Sequence, residues 1–79
     1  MRININDVIT LDNKFKYVVC SKVIYNLKNY FYLVNIDNNK DIKILEFNIE
    51  RNSLMVINDK KLEFTLIPLL LNEMLNDRQ

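Results

Sequence analysis

The stretch Tyr30-Phe31-Tyr32-Leu33-Val34-Asn35-Ile36 decides the fold of this chain. It is rich in aromatic and β-branched residues, and asparagine-containing turns flank it on both sides. Because both alternate sets of positions are apolar, the pattern predicts a strand that is covered on both faces. We therefore place this strand at the centre of a small β-structure.

Length and charge limit what surrounds this strand. A chain of 79 residues suffices for one small domain, so residues 1–79 are treated as a single unit. Hydrophobic residues make up 49% of the chain and charged residues 27%, which is typical of globular proteins. The net charge of +1 provides no strong field that would steer the protein onto nucleic acid or an anionic membrane.

The chain lacks the usual residues of catalysis. It contains no histidine, the common general base near neutral pH, and one cysteine alone cannot build a zinc site or an internal disulfide. A glycine-rich phosphate loop is excluded because glycine is absent. We interpret Cys20 as a packing residue in a strand, and we expect no enzyme activity, catalytic residues, metal site or cofactor.

Targeting signals are not apparent either. Met1 is not followed by the basic and then apolar segments of a signal peptide. The longest nearly uncharged apolar run, residues 64–71, is far shorter than the roughly 20 residues of a membrane-spanning helix. With a single cysteine, this leads us to expect a cytoplasmic protein that does not bind membranes.

Two strands are predicted before the central one. Residues 1–11 contain alternate isoleucines and then a β-forming run, and Asp12 with Asn13 suits a tight turn because both residues tolerate positive φ. Residues 15–25 alternate with period two, and one apolar face would carry Phe15, Tyr17, Val19, Ser21 and Val23. A turn at residues 26–29 then makes the second and third strands antiparallel neighbours.

Two more strands follow the central one. Residues 42–49 begin with Ile42 and Ile44 in one phase and continue with Leu45 and Phe47 in the other. Such a switch predicts a β-bulge or a twist near Ile44. Residues 53–57 form a short fifth run with β propensity.

The C-terminal part predicts a helix over residues 58–77, with Asn58 or Asp59 as its N-cap. Pro68 lies inside this segment, where it removes one hydrogen bond and clashes with the carbonyl of Phe64, at a cost of roughly 3 kcal/mol. We therefore expect either a kink at Pro68 or two short helices that meet there.

These elements predict a mainly β (α+β) fold. Residues 1–57 would form a five-stranded antiparallel meander or an SH3-like small barrel, and residues 58–77 one C-terminal helix kinked at Pro68. Thirteen asparagines in a chain without glycine indicate that the turns are built from asparagine.

The motif order resembles an uncharacterised family of small proteins from low-GC bacteria and their mobile elements. The resemblance is carried by residues 7–13 (DVITLDN), 17–26 (YVVCSKVIYN), 30–35 (YFYLVN) and 59–71, which includes DKKL and a leucine-rich end. It implies a small β-sheet or barrel capped by a helix. It implies no known catalytic residues and no settled activity.

Single-stranded nucleic acid is an alternative ligand, because small barrels stack bases on exposed aromatic rings beside a basic groove. A chain this small has few other large side chains for a core, so we expect its aromatic residues to be buried instead. With a near-neutral net charge, we regard nucleic acid as an unlikely partner. The aromatic candidates are Tyr17, Tyr25, Tyr30, Phe31 and Tyr32, and the basic ones are Lys16, Lys22, Lys28 and Lys43.

Four acidic residues are considered as a cation site. Asp37, Asp41, Glu46 and Glu50 resemble a cation site in number but lack the glycine and the spacing of a calcium loop. We interpret them as a solvated edge of the sheet.

The predicted helix has more apolar surface than one contact covers. At about 100° per residue its apolar side chains spread over roughly two-thirds of the circumference, whereas packing on one sheet needs a stripe of about 100°. Either a kink lets one surface cover them all, or part of the helix binds another chain. We expect the partner-binding residues to be Leu70, Leu71, Met74 and Leu75, which lie beyond Pro68, and a two-fold homodimer as the simplest arrangement.

The sequence therefore predicts a noncatalytic protein-binding module, as a phage or mobile-element regulator or inhibitor of a host protein. The alternatives are a small barrel that binds single-stranded nucleic acid and an enzyme whose active site forms between subunits.

Overall fold

In the computed structural model, residues 3–76 are described. Residues 1 and 2 of the predicted first strand and residue 77 of the predicted helix lie outside this range. The elements are β1 (Val8–Thr10), β2 (Lys16–Tyr25), β3 (Lys28–Asn35), β4 (Ile42–Asn48), β5 (Ser53–Val56) and α1 (Lys60–Asn76).

The five strands form one antiparallel sheet whose strand order follows the chain, β1-β2-β3-β4-β5. The sheet curls into a half-barrel, and α1 packs on one face of it. The predicted mainly β meander with a C-terminal helix is confirmed. Residues 30–35 of the central stretch lie in β3, the third of the five strands, and Ile36 follows its end.

Both faces of the sheet are covered. On one face Phe31 and Leu33 of β3 pack with Tyr17, Val19 and Leu45, and we call this cluster the inner core. On the other face a second cluster joins the sheet to the helix, and we call it the helix-side core. Its buried members are Tyr30, Tyr32, Ile44, Leu66 and Leu70. The apolar character of both alternate sets in β3 therefore reports two cores, as predicted.

The register irregularity lies in β2 rather than in β4. Val19 pairs with Leu33 and Ser21 pairs with Tyr32, so Cys20 is the extra residue of a bulge. The β3–β4 register is unbroken through Ile44, so the predicted bulge at that position is wrong. The phase switch in β4 arises because Ile44 packs under the helix while Leu45 packs in the inner core.

The bulge also changes which residues of β2 share a face. Tyr17 and Val19 belong to the inner core, whereas Val23 packs against the helix-side core. The prediction that these residues form one face with Ser21 is wrong, because an extra residue shifts the alternation by one position.

Three of the five described residues with positive φ are asparagines, as expected (Asn6, Asn26 and Asn52), whereas the other two are Lys14 and Leu27. At the first hairpin Lys14 has a φ of 75°, while the Asn13 side chain accepts a hydrogen bond from the Phe15 backbone N–H. At the second, Asn26 and Leu27 have φ values of 49° and 65° and form a two-residue loop between Tyr25 and Lys28. Positive φ at both loop residues is the pattern of a type I′ turn, which matches the twist of the flanking strands.

The helix begins after Asp59, whose carboxylate accepts hydrogen bonds from the backbone N–H groups of Lys61 and Leu62. Asp59 is therefore the N-cap, one of the two residues predicted. A single helix continues through Pro68 to Asn76, so the alternative of two short helices is wrong. A bend at Pro68 stays a prediction.

Candidate docking surfaces

The helix has two apolar faces that point in opposite directions. Leu66 and Leu70 are fully buried against the sheet, and Leu62, Ile67 and Met74 are partly buried beside them. This face accounts for the helix-side core. The opposite side of the helix is largely exposed.

That opposite side carries a second apolar row, which we call the outward stripe: Phe64, Pro68, Leu71 and Leu75. Phe64 is 76% exposed, Leu71 41% and Leu75 64%, and Pro68 is exposed as well. Their spacing of four, three and four residues keeps them within about 60° of one another around the axis. An exposed row of this kind is a feature that marks interaction surfaces.

The structure divides the four residues that were predicted to bind a partner. Leu71 and Leu75 lie on the outward stripe. Leu70 is fully buried in the helix-side core, and Met74 is partly buried against it, so both serve the packing of the helix on its own sheet. The division follows from helix geometry, since consecutive residues lie about 100° apart.

Sequence reasoning missed Phe64 and Pro68, because it considered only residues beyond the proline. The signal was present in the spacing. Positions 64, 68, 71 and 75 follow the four-three-four pattern of a helix seam, while 62, 66, 70 and 74 form a separate row.

A polar network lies at the end of the sheet that carries the β1–β2 and β3–β4 turns. The buried Tyr17 hydroxyl donates a 2.5 Å hydrogen bond to the Asp41 carboxylate and accepts one from the Asn13 side chain. The Asn35 amide also donates to Asp41, and Lys43 forms a 3.2 Å ion pair with it. These contacts, with the Tyr17 hydrogen bond first among them, hold the pKa of Asp41 below its ordinary value of 3.8.

Glu46 has a comparable role at the other end of the sheet. It accepts a hydrogen bond from the Tyr30 hydroxyl and pairs with Lys28 at 3.2 Å. Burial, together with the nearby Glu46 carboxylate, raises the pKa of Tyr30. Asp41 and Glu46 are thus engaged in separate structural contacts, and no group of three or more His, Cys, Asp or Glu residues suited to a metal ion occurs within residues 3–76.

The aromatic residues considered for base stacking are mostly inside the protein. Tyr17, Tyr30, Phe31 and Tyr32 are buried, as predicted for core residues, and Tyr25 is partly buried against the helix-side core. Stacking requires exposed ring faces, so these four rings are not presented to a nucleic acid.

Cys20 sits at the β2 bulge and packs against the helix-side core. Its thiol contacts the Val18 carbonyl oxygen at 3.7 Å, and its side chain is partly buried. This placement is that of a small packing residue.

Within residues 3–76, no helix is long and apolar enough to cross a membrane. Comparison of the chain with protein-family models, curated proteins and solved structures finds no match.

Proposed function

We propose that this protein is a noncatalytic protein-binding module that binds through the outward stripe, and that the stripe pairs with a second copy of the same chain. The supporting observation is the exposure of Phe64, Leu71 and Leu75 on a helix whose other face already packs on the sheet. The free energy falls when a partner removes such a row of apolar side chains from water, so the row favours association.

The stripe is complementary to itself in an antiparallel arrangement. A two-fold axis between positions 69 and 70 places Phe64 opposite Leu75 of the other copy, and Pro68 opposite Leu71. Large rings then meet flexible leucines at the ends, while the flat proline ring lies near the centre. Isologous pairing of this kind is the commonest form of protein self-association.

Sedimentation measures this association directly. We expect the wild type to be a dimer at micromolar concentration and the variant Leu71→Glu/Leu75→Glu to be a folded monomer, because an unpaired charge is costly in an interface but not on a free surface. A control is Thr65→Glu/Asn76→Glu, which adds the same two charges on an exposed side of the helix, about 60° or more around the axis from every residue of the stripe. Its dimer should persist.

Two results would contradict the dimer. One is a wild-type monomer throughout that concentration range. The other is equal dissociation by the stripe variant and by its control, which would indicate a general effect of added negative charge.

A further part of this proposal is that the module regulates or inhibits a host protein, in the mobile-element setting that the sequence resemblance implies. Genomic neighbourhood tests this part: a position among phage or defence genes supports it, and a consistent position among housekeeping genes opposes it.

A further inference from the structure

We infer that the half-barrel binds an extended peptide, which enters between β1 and β5 as a sixth strand and runs antiparallel to both. This surface lies on the sheet rather than on the outward stripe, so the inference goes beyond the proposed self-association.

The groove is the opening of the half-barrel and has a volume of about 480 Å³. One wall is formed by Ile9 and Thr10 of β1, the other by Leu54 and Val56 of β5, and Leu45 lies between the walls. Ile9 and Leu54 pack against the inner core and remain partly exposed. The groove therefore offers apolar surface continuous with the core, and Asp12, Asn13 and Lys43 add polar groups to its lining.

The backbone of β1 presents hydrogen-bonding groups to this groove. The Asp7 carbonyl accepts a bond from Val19 N–H, and the Leu11 N–H donates to Phe15, so positions 7 and 11 face β2. Backbone groups alternate in direction along a strand, which turns the N–H and C=O groups of Val8 and Thr10 toward the groove.

The same reasoning applies to β5. The Ile57 N–H donates to the Ile44 carbonyl, so position 57 faces β4. Leu54 and Val56, in the opposite phase, direct their backbone groups toward the groove. Within residues 3–76 no strand pairs with the outer edge of β1 or of β5.

Strand direction specifies the occupant. In a sheet of five antiparallel strands the first and the fifth run the same way, so direct closure would require a parallel pair. A strand of opposite direction between them forms antiparallel ladders with both edges and completes an all-antiparallel barrel. An added peptide strand, unlike a compact ligand, satisfies both rows of backbone groups.

The occupant's chemistry follows from the walls. With β1 of three residues and β5 of four, the paired segment spans about five residues. Every second side chain of an inserted strand points inward, toward Leu45, Ile9 and Leu54, and should be apolar. The remaining side chains point to solvent.

A capped synthetic peptide in which valine alternates with threonine between two terminal lysines is a suitable probe. In ¹⁵N NMR titrations to about 1 mM, we expect shifts centred on the amides of Val8, Thr10, Leu54 and Val56, and at least tenfold slower hydrogen exchange at these amides. An analogue with N-methyl groups at alternate residues, which loses one ladder of hydrogen bonds, should bind about tenfold more weakly.

The inference is overturned if neither edge responds to the peptide, if the N-methylated analogue binds equally well, or if the four amides are already protected in the protein alone. Thr10→Pro adds an independent test, because it removes a groove-facing N–H from an edge position where proline is tolerated. It should weaken peptide binding about tenfold relative to Thr10→Val, which retains the N–H. Equal affinities of these two variants, both folded, would refute the ladder with β1. If Thr10→Pro unfolds, the exchange and N-methyl measurements decide alone.

Discussion

The hydroxyl of Ser21 donates a 2.8 Å hydrogen bond to the backbone carbonyl of Leu70. Both residues are fully buried, and 49 positions of sequence separate them. Ser21 reaches the helix because the bulge at Cys20 turns it to the same face as its partner Tyr32. The irregularity in β2 thus provides a polar link between the sheet and the helix.

Removal of this link should be measurable. We expect Ser21→Ala to lower the free energy of unfolding by about 1 kcal/mol, because the buried Leu70 carbonyl loses a hydrogen-bond donor. Urea denaturation measures the change. Thr65→Ala is the control: its hydroxyl bonds to the Lys61 carbonyl on the exposed part of the helix, and its loss should leave stability unchanged or slightly higher. Equal losses from the two substitutions would mean that the Ser21 bond contributes nothing specific.

Leu70 and Leu71 are neighbours in opposite environments. Leu70→Ala should destabilise the protein by about 2–5 kcal/mol, since it leaves a cavity between the helix and the sheet. Leu71→Ala should change the free energy of unfolding of the monomer by less than about 1 kcal/mol, because the Leu71 side chain is substantially exposed. Denaturation of both variants in the Leu75→Glu background, which weakens the proposed dimer, makes the comparison. Similar losses at both positions would contradict the orientation of the helix.

Leu27 combines a φ of 65° with an exposed fraction of 92% at the tip of the β2–β3 hairpin. A left-handed conformation costs a residue with a Cβ roughly 1–2 kcal/mol, and the exposed side chain returns little packing energy. Leu27→Gly should therefore stabilise the fold by about 1 kcal/mol, with some of the gain offset by the entropy of glycine in the unfolded chain.

Leu27→Ala is the matched control, because alanine keeps the Cβ that causes the strain while removing the rest of the side chain. Its thermal midpoint should stay close to that of the wild type. A gain from alanine equal to that from glycine would show that the exposed leucine side chain, and not its backbone conformation, is unfavourable.

Acid should lower the stability of the fold through Asp41, which lies at one end of the half-barrel. Its pKa in the folded protein lies below the ordinary 3.8, so the contribution of its ionised form is fully present above that value and is lost as pH falls through the lower, folded pKa. Urea midpoints between pH 7 and acid conditions should fall less in Asp41→Asn than in the wild type. A parallel fall in both proteins would place the acid sensitivity elsewhere. Tyr17→Phe, which removes the main hydrogen bond, should shift the Asp41 pKa upward in NMR titrations.

Much of the sheet could be predicted because each strand carries its own local signal. β-branched and aromatic runs separated by asparagine turns specify the meander, and the two apolar phases of residues 30–36 specify coverage on both faces. The N-cap at Asp59 could also be predicted from the sequence, because a short acidic side chain precedes the apolar helical pattern.

The predictions for β4 and for the helix were wrong or incomplete because one apolar pattern fits two different packing arrangements. In β4 the change of phase between Ile44 and Leu45 looks identical whether it comes from a bulge or from two cores. In the helix, about two-thirds of the circumference is apolar, so periodicity alone does not separate the row of Leu70 from the row of Leu71. Which row is buried depends on how the helix packs on the sheet, and that packing involves residues remote in sequence.

The order of strands has a consequence for how fast the protein acquires its structure. Every β-ladder joins segments that are adjacent in the chain, so the sheet forms through hairpins of low contact order with little loop entropy to overcome. The packing of α1 on β2 and β3 is the exception, and its hydrogen bond from Ser21 to Leu70 spans 49 positions. Hairpin assembly should therefore be early and rapid, and attachment of the helix a later event that chiefly governs the rate of unfolding.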